Sequence, residues 1–290
     1  MIQTQQTTLE LNLRHIADLL ILNGTLTVCP GLIHGKTGIA VFFFHYARYT
    51  DNELFADYAL ELIEEIQDQL YANIPVDYEQ GIAGIGIGID YLINKNFLET
   101  DDDIFEEFDQ RMYRATMYDL WLDFSMYDGL IGYGRYWVMR LRRHPTLGQA
   151  QDCLSYIIRC IDERLSNIFV RDQAAVYYFL HDLNQMSNLI NYTEMLEICR
   201  IRAFQAYEDD KRDVTYLRNS TIGNIIRLHQ YSHYWGYASQ DEIDCALKQI
   251  PDLNMMKLPV GMGLLTGYAG EGMLRLTALD QTDISWINLL

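Results

Sequence analysis

Apolar residues recur at three- and four-residue spacing along most of the chain, which is the pattern of helices with one buried face. Leu9, Leu13, Ile16 and Leu20 follow this spacing and predict an amphipathic helix over residues 8–22. Asn23-Gly24 ends it, because this pair favours a turn. Other segments are apolar nearly all round, and a helix of that kind is buried. The alternation of the two kinds predicts an all-helical protein.

A G-x-x-G pair opens the segments that are apolar all round. Clear copies begin at Gly35, Gly81, Gly129 and Gly267, so the gaps are 46, 48 and 138 residues. Because 138 is three times 46, two degenerate copies are expected in the long gap. Gln173–Val176 and Ser220–Gly223 stand near those places. Six copies at a period near 47 predict a repeat architecture.

The repeats predict a single domain over residues 1–290, an α/α toroid of about six helical hairpins. The helices after the motif form an inner ring and the amphipathic helices an outer ring. We attribute the glycines mainly to close packing and turn geometry, since glycine inside a helix costs about 1 kcal/mol against alanine. The predicted helices cover residues 8–22, 36–49, 52–71, from the second motif to about 94, 101–122, 130–143, 147–166, 173–185, 191–209, 221–235, 239–249 and 267–280.

If all inner helices start at one end of the ring, their N-termini and free N–H groups converge on one mouth. The polar residues in and before each motif should line that mouth. We assign possible catalysis to His34, with a carboxylate to tune its pKa, and to Asp128. The alternative for aspartates at these positions is helix capping. The predicted substrate-binding residues are Lys36, Asp77, Tyr78, Glu79, Tyr127, Arg171, Asp172, Arg218, Asn219, Tyr268 and Glu271.

Composition excludes several function classes. The net charge of −18 argues against nucleic acid and anionic membranes as partners. The five cysteines are scattered without a C-x-x-C pair, which favours a reduced cytoplasmic protein with buried thiols. We expect no signal peptide and no membrane-spanning segment. His229 and His233 have the i, i+4 spacing of metal ligands, but we interpret them as hydrogen-bonded core residues.

The motif copies resemble the repeats of the lanthionine synthetase C-like family. The resemblance rests on four runs and covers most of the chain: Gly31–Ala40, Tyr78–Gly86, Asp128–Gly134 and Gly263–Gly270. It implies an α/α toroid with a central site at the glycine-motif end. In the family's cyclases, a zinc ion held by two cysteines and a histidine activates a peptide thiol for addition to a dehydrated serine or threonine.

The chain departs from the family at the zinc ligands. The slot of the family's Cys-His-Gly motif holds Leu265-Thr266-Gly267, and that of the preceding Trp-Cys-x-Gly motif falls at residues 218–221. Neither contains cysteine or histidine. We therefore expect no metal and no cofactor. The resemblance implies a bacterial protein that binds or modifies a peptide, and the missing zinc ligands leave open that it binds without catalysis.

Two other functions are open. One is a carbohydrate-active enzyme of the six-hairpin class, in which Asp77, Glu79 or Asp128 would act as acid and base, an argument by analogy of fold. The other is a module that binds a peptide or small molecule without turning it over.

Overall fold

The computed structural model describes residues 2–70, 74–100, 104–119, 123–186, 192–210, 221–236, 240–253, 261–265 and 267–290. Over these residues the protein is all-α, as predicted, and its β pairing is limited to an isolated bridge between Gly261 and Gly267. The described α-helices are α1 Ile2–Gly24, α2 Lys36–Thr50, α3 Glu53–Leu70, α4 Ile82–Asn94, α5 Glu106–Tyr118, α6 Leu130–Arg143, α7 Gly148–Arg164, α8 Gln173–Asn184, α9 Thr193–Asp210, α10 Thr221–Trp235, α11 Gln240–Leu247 and α12 Tyr268–Ala278. Short 3₁₀ helices cover Leu165–Asn167 (η1), Val170–Asp172 (η2) and Ile284–Leu289 (η3).

Each predicted helix has a counterpart in this list. For the predicted helix 101–122, the structure gives α5 from Glu106 to Tyr118, and residues 101–103 and 120–122 lie outside the described residues. In the described residues, no helix combines the length and apolarity that a membrane crossing requires.

Burial separates the two kinds of helix as the pattern predicts. In α2 every residue from Lys36 to Ala47 is buried, and in α12 every residue from Tyr268 to Thr277. The amphipathic α3 buries only Ala59, Leu62 and Ile66, at helical spacing along one stripe. Helices that follow a glycine motif therefore form the core, and α3 covers it from one side.

The chain packs as two compact units. Unit 1 comprises Met1–Ile74, Tyr91–Leu98 and Thr215–Leu290, and unit 2 comprises Pro75–Asp90 and Glu99–Val214. In unit 1, α2 packs on α3 and on α12, and α12 also contacts α1, α10 and α11. In unit 2, α6 packs on α7 and α8, and α8 packs on α9. Within each unit, a motif helix thus contacts both another motif helix and the amphipathic helix that follows it.

The loops before the motifs share one construction. In each clear copy, the residue after the first glycine donates its N–H to a carbonyl six residues before that glycine. The bonds are Lys36 to Cys29 at 2.9 Å, Ile82 to Pro75 at 3.0 Å, Leu130 to Asp123 at 3.4 Å and Tyr268 to Gly261 at 2.8 Å. The loop therefore folds back over the helix start and satisfies an N–H that has no partner inside the helix.

This construction corrects the expectation of free N–H groups at the mouth. Loop carbonyls accept the next N–H group as well in three copies: Thr37 donates to Pro30, Ala83 to Val76 and Ala269 to Met262. The starts of α2, α4 and α12 therefore use their first amides internally. They do not offer these amides to an anionic ligand.

Close approach, and not backbone conformation, requires the first glycine. Gly129 has φ −105° and Gly267 has φ −133°, which other residues also adopt. A Cβ at Gly81 would lie 2.6 Å from the carbonyl carbon of Pro75 and 2.8 Å from the amide nitrogen of Asp77. The folded-back loop leaves no room for a side chain there, which confirms the packing interpretation of the motif.

A third glycine, two residues after the pair, faces an aromatic ring of another motif helix. A Cβ at Gly134 would lie 2.6 Å from the ring of Phe179, and one at Gly86 would lie 2.8 Å from that of Tyr136. In unit 1, a Cβ at Gly272 would overlap the Phe42 ring. The aromatic rings on these helices therefore pack against the glycine surface of another motif helix.

A buried ion pair stabilises the core of unit 2. Asp109 of α5 accepts from Arg140 of α6 through both oxygens, with Nε–Oδ1 at 2.8 Å and Nη2–Oδ2 at 2.7 Å. Tyr136 adds a hydroxyl bond of 2.7 Å to the same carboxylate. Both charged side chains are almost completely buried. Burial of this kind is tolerable only because the geometry is bidentate and the carboxylate is well bonded.

Candidate functional site

Three consecutive loops of unit 2 lie side by side. The N–H groups of Tyr78 and Glu79 both donate to the carbonyl of Tyr127, at 2.9 and 3.1 Å. Arg171, from the loop before α8, donates through Nη2 to Oδ2 of Asp123 at 2.9 Å. We call the surface formed by residues 75–80, 123–128 and 168–172 the loop face. It gathers most of the polar residues that the sequence predicts for a site in this part of the chain.

Arg171 lies between two carboxylates of the loop face. Its Nε is 3.5 Å from Oδ1 of Asp172, and its Nη2 bonds to Asp123. The Arg171 side chain is 69% exposed, whereas Asp172 is 4% exposed. The guanidinium of Arg171 is therefore exposed to solvent, whereas the carboxylate of Asp172 is buried.

Asp172 is the most unusual titratable group of the loop face. Its Oδ2 atom is buried and has no hydrogen-bond partner among the described residues. Burial raises the pKa of this carboxyl above its ordinary value, and the charge of Asp123 raises it further. Arg171 and the N–H of Phe124 act in the opposite direction. A buried oxygen without a donor is an incomplete arrangement that a ligand donor could complete.

A second cluster on the loop face is aromatic. The guanidinium of Arg135 lies 4.5 Å from the ring centroid of Tyr78, within cation–π range, and donates to Sδ of Met126 at 3.2 Å. Tyr78 is fully buried, and burial raises the pKa of its phenol. Burial also raises the pKa of Tyr127 to about 12. Both phenols are therefore neutral at physiological pH and can donate hydrogen bonds but not act as bases.

The remaining predicted residues of unit 2 have simpler surroundings. Asp77 accepts the N–H of Gln80 at 2.7 Å and so closes its own turn. Glu79 is half-buried, and Asp128 is exposed, with its N–H donating to Oγ of Ser125 at 3.4 Å. The structure places these carboxylates on the loop face. Their roles as acid, base or substrate contact stay predictions.

The predicted residues of unit 1 lie in two surroundings. His34 is exposed, next to Ile33, whose carbonyl accepts the N–H groups of Leu264 and Leu265 at 2.9 and 3.3 Å. The first and last motif loops are therefore neighbours in this unit. Lys36 is buried and forms an ion pair with Glu65 of α3, so its ammonium points to the amphipathic helix.

Two further predicted residues of unit 1 are buried in α12. Tyr268 is buried at the start of this helix, and Glu271 pairs with the fully buried Arg275 at 2.6 Å. Arg275 also donates to the carbonyl of Pro251 at 2.9 Å. These contacts give Glu271 a structural role in the packing of α12. Arg218 and Asn219 lie outside the described residues.

Sequence reasoning missed two features of the loop face. Arg135 follows Gly134 at a place where other copies carry Val41, Ile87 and Met273, and this single charged exception was a usable signal. Phe169 and Val170 are large apolar side chains that are 57% and 69% exposed, directly before Arg171. Their exposure depends on the 3₁₀ turn η2, which the hydrophobic pattern alone does not indicate.

Cys153, Cys199 and the histidine pair have surroundings that point to structural roles. Burial raises the pKa of Cys153 to about 12 and that of Cys199 to about 11, so both thiols are protonated. The rings of His229 and His233 stack with centroids 6.1 Å apart. Nε2 of His229 bonds to the side-chain oxygen of Asn288 at 3.0 Å. His229 is therefore a hydrogen-bonded residue, but it is only half-buried and His233 is exposed, so the prediction that both are core residues is wrong.

The geometry thus describes a polar and partly apolar loop face on unit 2, next to a helical core that repeats one loop-and-glycine construction. Comparisons of the sequence with models of known protein families and with curated proteins find no match.

Proposed function

We propose that the chain is a lanthionine synthetase C-like protein that binds a peptide on the loop face of unit 2 without a cyclase zinc centre. The proposed frame is a toroid of six hairpins over the whole chain, in the cytoplasm of a bacterium. The four motif runs of the sequence support the family, and the shared loop construction supports a common origin of the repeats. A protein of this kind would recognise a peptide but leave thioether formation to another catalyst.

The observation that carries the proposal is the placing of Arg171 between Asp123 and Asp172, beside exposed apolar side chains. A peptide offers cationic side chains and backbone N–H groups, which carboxylate oxygens accept. It also offers apolar side chains, for which Phe169 and Val170 provide contact area. The loop face carries more carboxylates than guanidinium groups, so we expect it to prefer a cationic peptide.

The zinc-free part of the proposal is supported by chemistry as well as by sequence. A cyclase zinc site needs thiolate ligands, since zinc binds the deprotonated sulfur. Cys153 and Cys199 are buried in unit 2, on α7 and α9, away from the ligand slots of the family. The ligand slots of the family hold no cysteine or histidine.

A carbohydrate-active enzyme is the second candidate, and one observation favours it. Asp123 and Asp172 contact the same rigid guanidinium, so their nearest oxygens lie within about 9 Å of each other. Inverting glycosidases hold their two carboxyl groups roughly 6.5–9.5 Å apart, and the acid has a raised pKa, as Asp172 has. If the purified chain releases no reducing sugar from a panel of polysaccharides, this candidate is dropped.

The peptide proposal is tested by fluorescence anisotropy with short labelled peptides that contain lysine, phenylalanine and cysteine, and with acidic counterparts. We expect saturable binding of the cationic set only. Asp123→Asn should weaken the binding of the cationic set by about tenfold, the effect of one charge-assisted hydrogen bond, whereas Arg171→Gln removes a competing cation and should not weaken it. Asp162→Asn, which removes an exposed carboxylate of α7, is the matched control and should bind normally.

Two outcomes would count against the proposal. Equal binding of cationic and acidic peptides by all variants would show that the loop face is not the site. One tightly held zinc ion per purified chain, measured by elemental analysis, would contradict the zinc-free part independently of peptide binding.

A further inference from the structure

Unit 1 contains a cavity of about 430 Å³ that the proposed peptide site does not involve. It is lined by the last part of α2, by Lys95 just after α4, and by the turn Asp280–Asp283 that follows α12. The motif loops lie at the beginnings of these helices, whereas the cavity lies near their ends. Its volume is in the range of small-molecule sites.

One wall of the cavity is held by a fixed ion pair. Nζ of Lys95 bonds to Oδ2 of Asp283 at 2.6 Å, and Oδ1 of Asp283 accepts the N–H of Ser285 at 2.8 Å. Although partial burial acts in the opposite direction, these bonds lower the pKa of Asp283 to about 2. Asp283 is therefore ionised at neutral pH, and its two oxygens already have donors.

His45 is the buried residue of the lining, and it is uncharged. Nε2 of His45 and the hydroxyl of Tyr91 are hydrogen-bonded at 2.9 Å. Burial lowers the pKa of His45 to about 3, and the charges of Arg48 and Lys95 lower it further. His45 is thus neutral at physiological pH, and the charges of the lining belong to Arg48, Lys95, Asp280 and Asp283.

Two opposite charges on the lining lack a charged partner. Arg48 lies 3.8 Å from the ring centroid of Phe97 and donates Nη2 to the carbonyl of Lys95 at 2.9 Å, but no carboxylate of the described residues pairs with it. The Asp280 carboxylate has neither a hydrogen bond nor an ion pair within the described part of the chain. A guanidinium and a carboxylate thus face one cavity without pairing with each other.

We propose that this cavity binds a small zwitterion of the amino-acid class, with its carboxylate on Arg48 and its ammonium on Asp280. A guanidinium fixed on an aromatic ring can donate its remaining N–H groups to a carboxylate. A purely anionic ligand would be repelled by Asp280 and Asp283, and a purely cationic one by Arg48 and Lys95. A zwitterion offers a carboxylate to Arg48 and an ammonium to Asp280, and the neutral His45 adds no charge to the lining.

Isothermal titration calorimetry tests this proposal with simple probes. Glycine, β-alanine and 4-aminobutyrate differ in the separation of their charges, and propionate and propylamine each carry one charge only. We expect saturable binding of at least one zwitterion, and at least tenfold weaker binding of propionate and propylamine. Arg48→Gln and Asp280→Asn should each weaken the zwitterion tenfold or more.

The variants preserve the fold at exposed positions, and asparagine tolerates the left-handed backbone of residue 280, where φ is 57°. Asp57→Asn, at an exposed place on α3, is the control and should bind like the unmodified chain. Equal affinity for propionate and the zwitterions would overturn the proposal in favour of an anion site. If glycine, β-alanine and 4-aminobutyrate all give only heats of dilution, none of them binds and the proposal is wrong.

Discussion

Replacing Gly81 by alanine should destabilise the protein more than any ordinary surface change. The new Cβ would lie 2.6 Å from the carbonyl carbon of Pro75 and 2.8 Å from the amide nitrogen of Asp77, both backbone atoms. To relieve these contacts, the loop has to move away from the helix start. The bond from Ile82 to Pro75 at 3.0 Å and the bond from Ala83 to Val76 at 3.3 Å would then lengthen or break.

The magnitude follows from three terms. Overpacking of a rigid contact costs about 1–3 kcal/mol. Each weakened bond leaves a helix-start N–H poorly satisfied, at about 1 kcal/mol or more. Alanine returns about 0.4–1 kcal/mol by restricting the unfolded chain. The net expectation is a loss of about 2–4 kcal/mol in the free energy of unfolding.

Gly148→Ala is the matched control. Gly148 begins α7 and a Cβ built there has no neighbour within 4 Å, so alanine should be neutral or stabilise by up to about 1 kcal/mol. Urea denaturation followed by circular dichroism at 222 nm measures both variants. If Gly81→Ala is as stable as Gly148→Ala, the reasoning that close approach requires the motif glycine is refuted.

Three further substitutions test the buried polar side chains Arg140, Lys36 and His45. Arg140→Met should lower the free energy of unfolding by about 3–5 kcal/mol, because it leaves the buried Asp109 carboxylate without its cation. A loss below about 1 kcal/mol in urea denaturation would contradict this. Lys36→Met should change stability by less than about 1 kcal/mol in the same assay, because Glu65 is 42% exposed and stays hydrated; a loss as large as that of Arg140→Met would contradict this. His45→Gln should flatten the pH dependence of stability. In the unmodified chain the unfolded histidine binds a proton below about pH 6.5, whereas the folded one binds it only near pH 3. The free energy of unfolding therefore falls by up to about 1.4 kcal/mol for each unit by which the pH is lowered between these two values. Identical slopes in the two proteins would show that His45 is not the group responsible.

The helices and the role of the glycines could be predicted because both depend on local and periodic information. The spacing of apolar residues gives the buried stripe of α3, and the recurring glycines mark the starts of the buried helices α2, α4, α6 and α12. The loop that folds over Gly81 was not predictable, since its hydrogen bonds join residues with no apolar periodicity.

The candidate site was predictable only in part. Arg171 and Asp172 were named from the sequence, and the structure joins them with Asp123 on the loop face. Lys36 and Glu271 were named by the same reasoning, but their side chains pair inside the protein. The direction of a side chain in the first turn of a helix depends on how that helix is rotated against its neighbours. A motif position does not contain that information.

The loop face also explains why charge counting is a poor guide to single residues. The chain has a net charge of −18, yet Arg171 lies on this surface and Arg135 of α6 lies directly beside it, against Tyr78. Arg135 is held by Tyr78 and Met126, while Arg171 is exposed and bonds to Asp123. Arg171 is therefore the cation that a peptide can displace or join with little cost in core packing.

The most direct test of the peptide proposal is amide hydrogen exchange, measured by mass spectrometry with and without the tightest-binding cationic peptide. The account predicts that added protection is concentrated in residues 75–80, 123–128 and 168–172. It also predicts that Asp123→Asn reduces this protection while the exchange of α6 stays unchanged. Protection that spares all three loops, or the lack of any peptide that binds, would contradict the claim that the loop face is a peptide site.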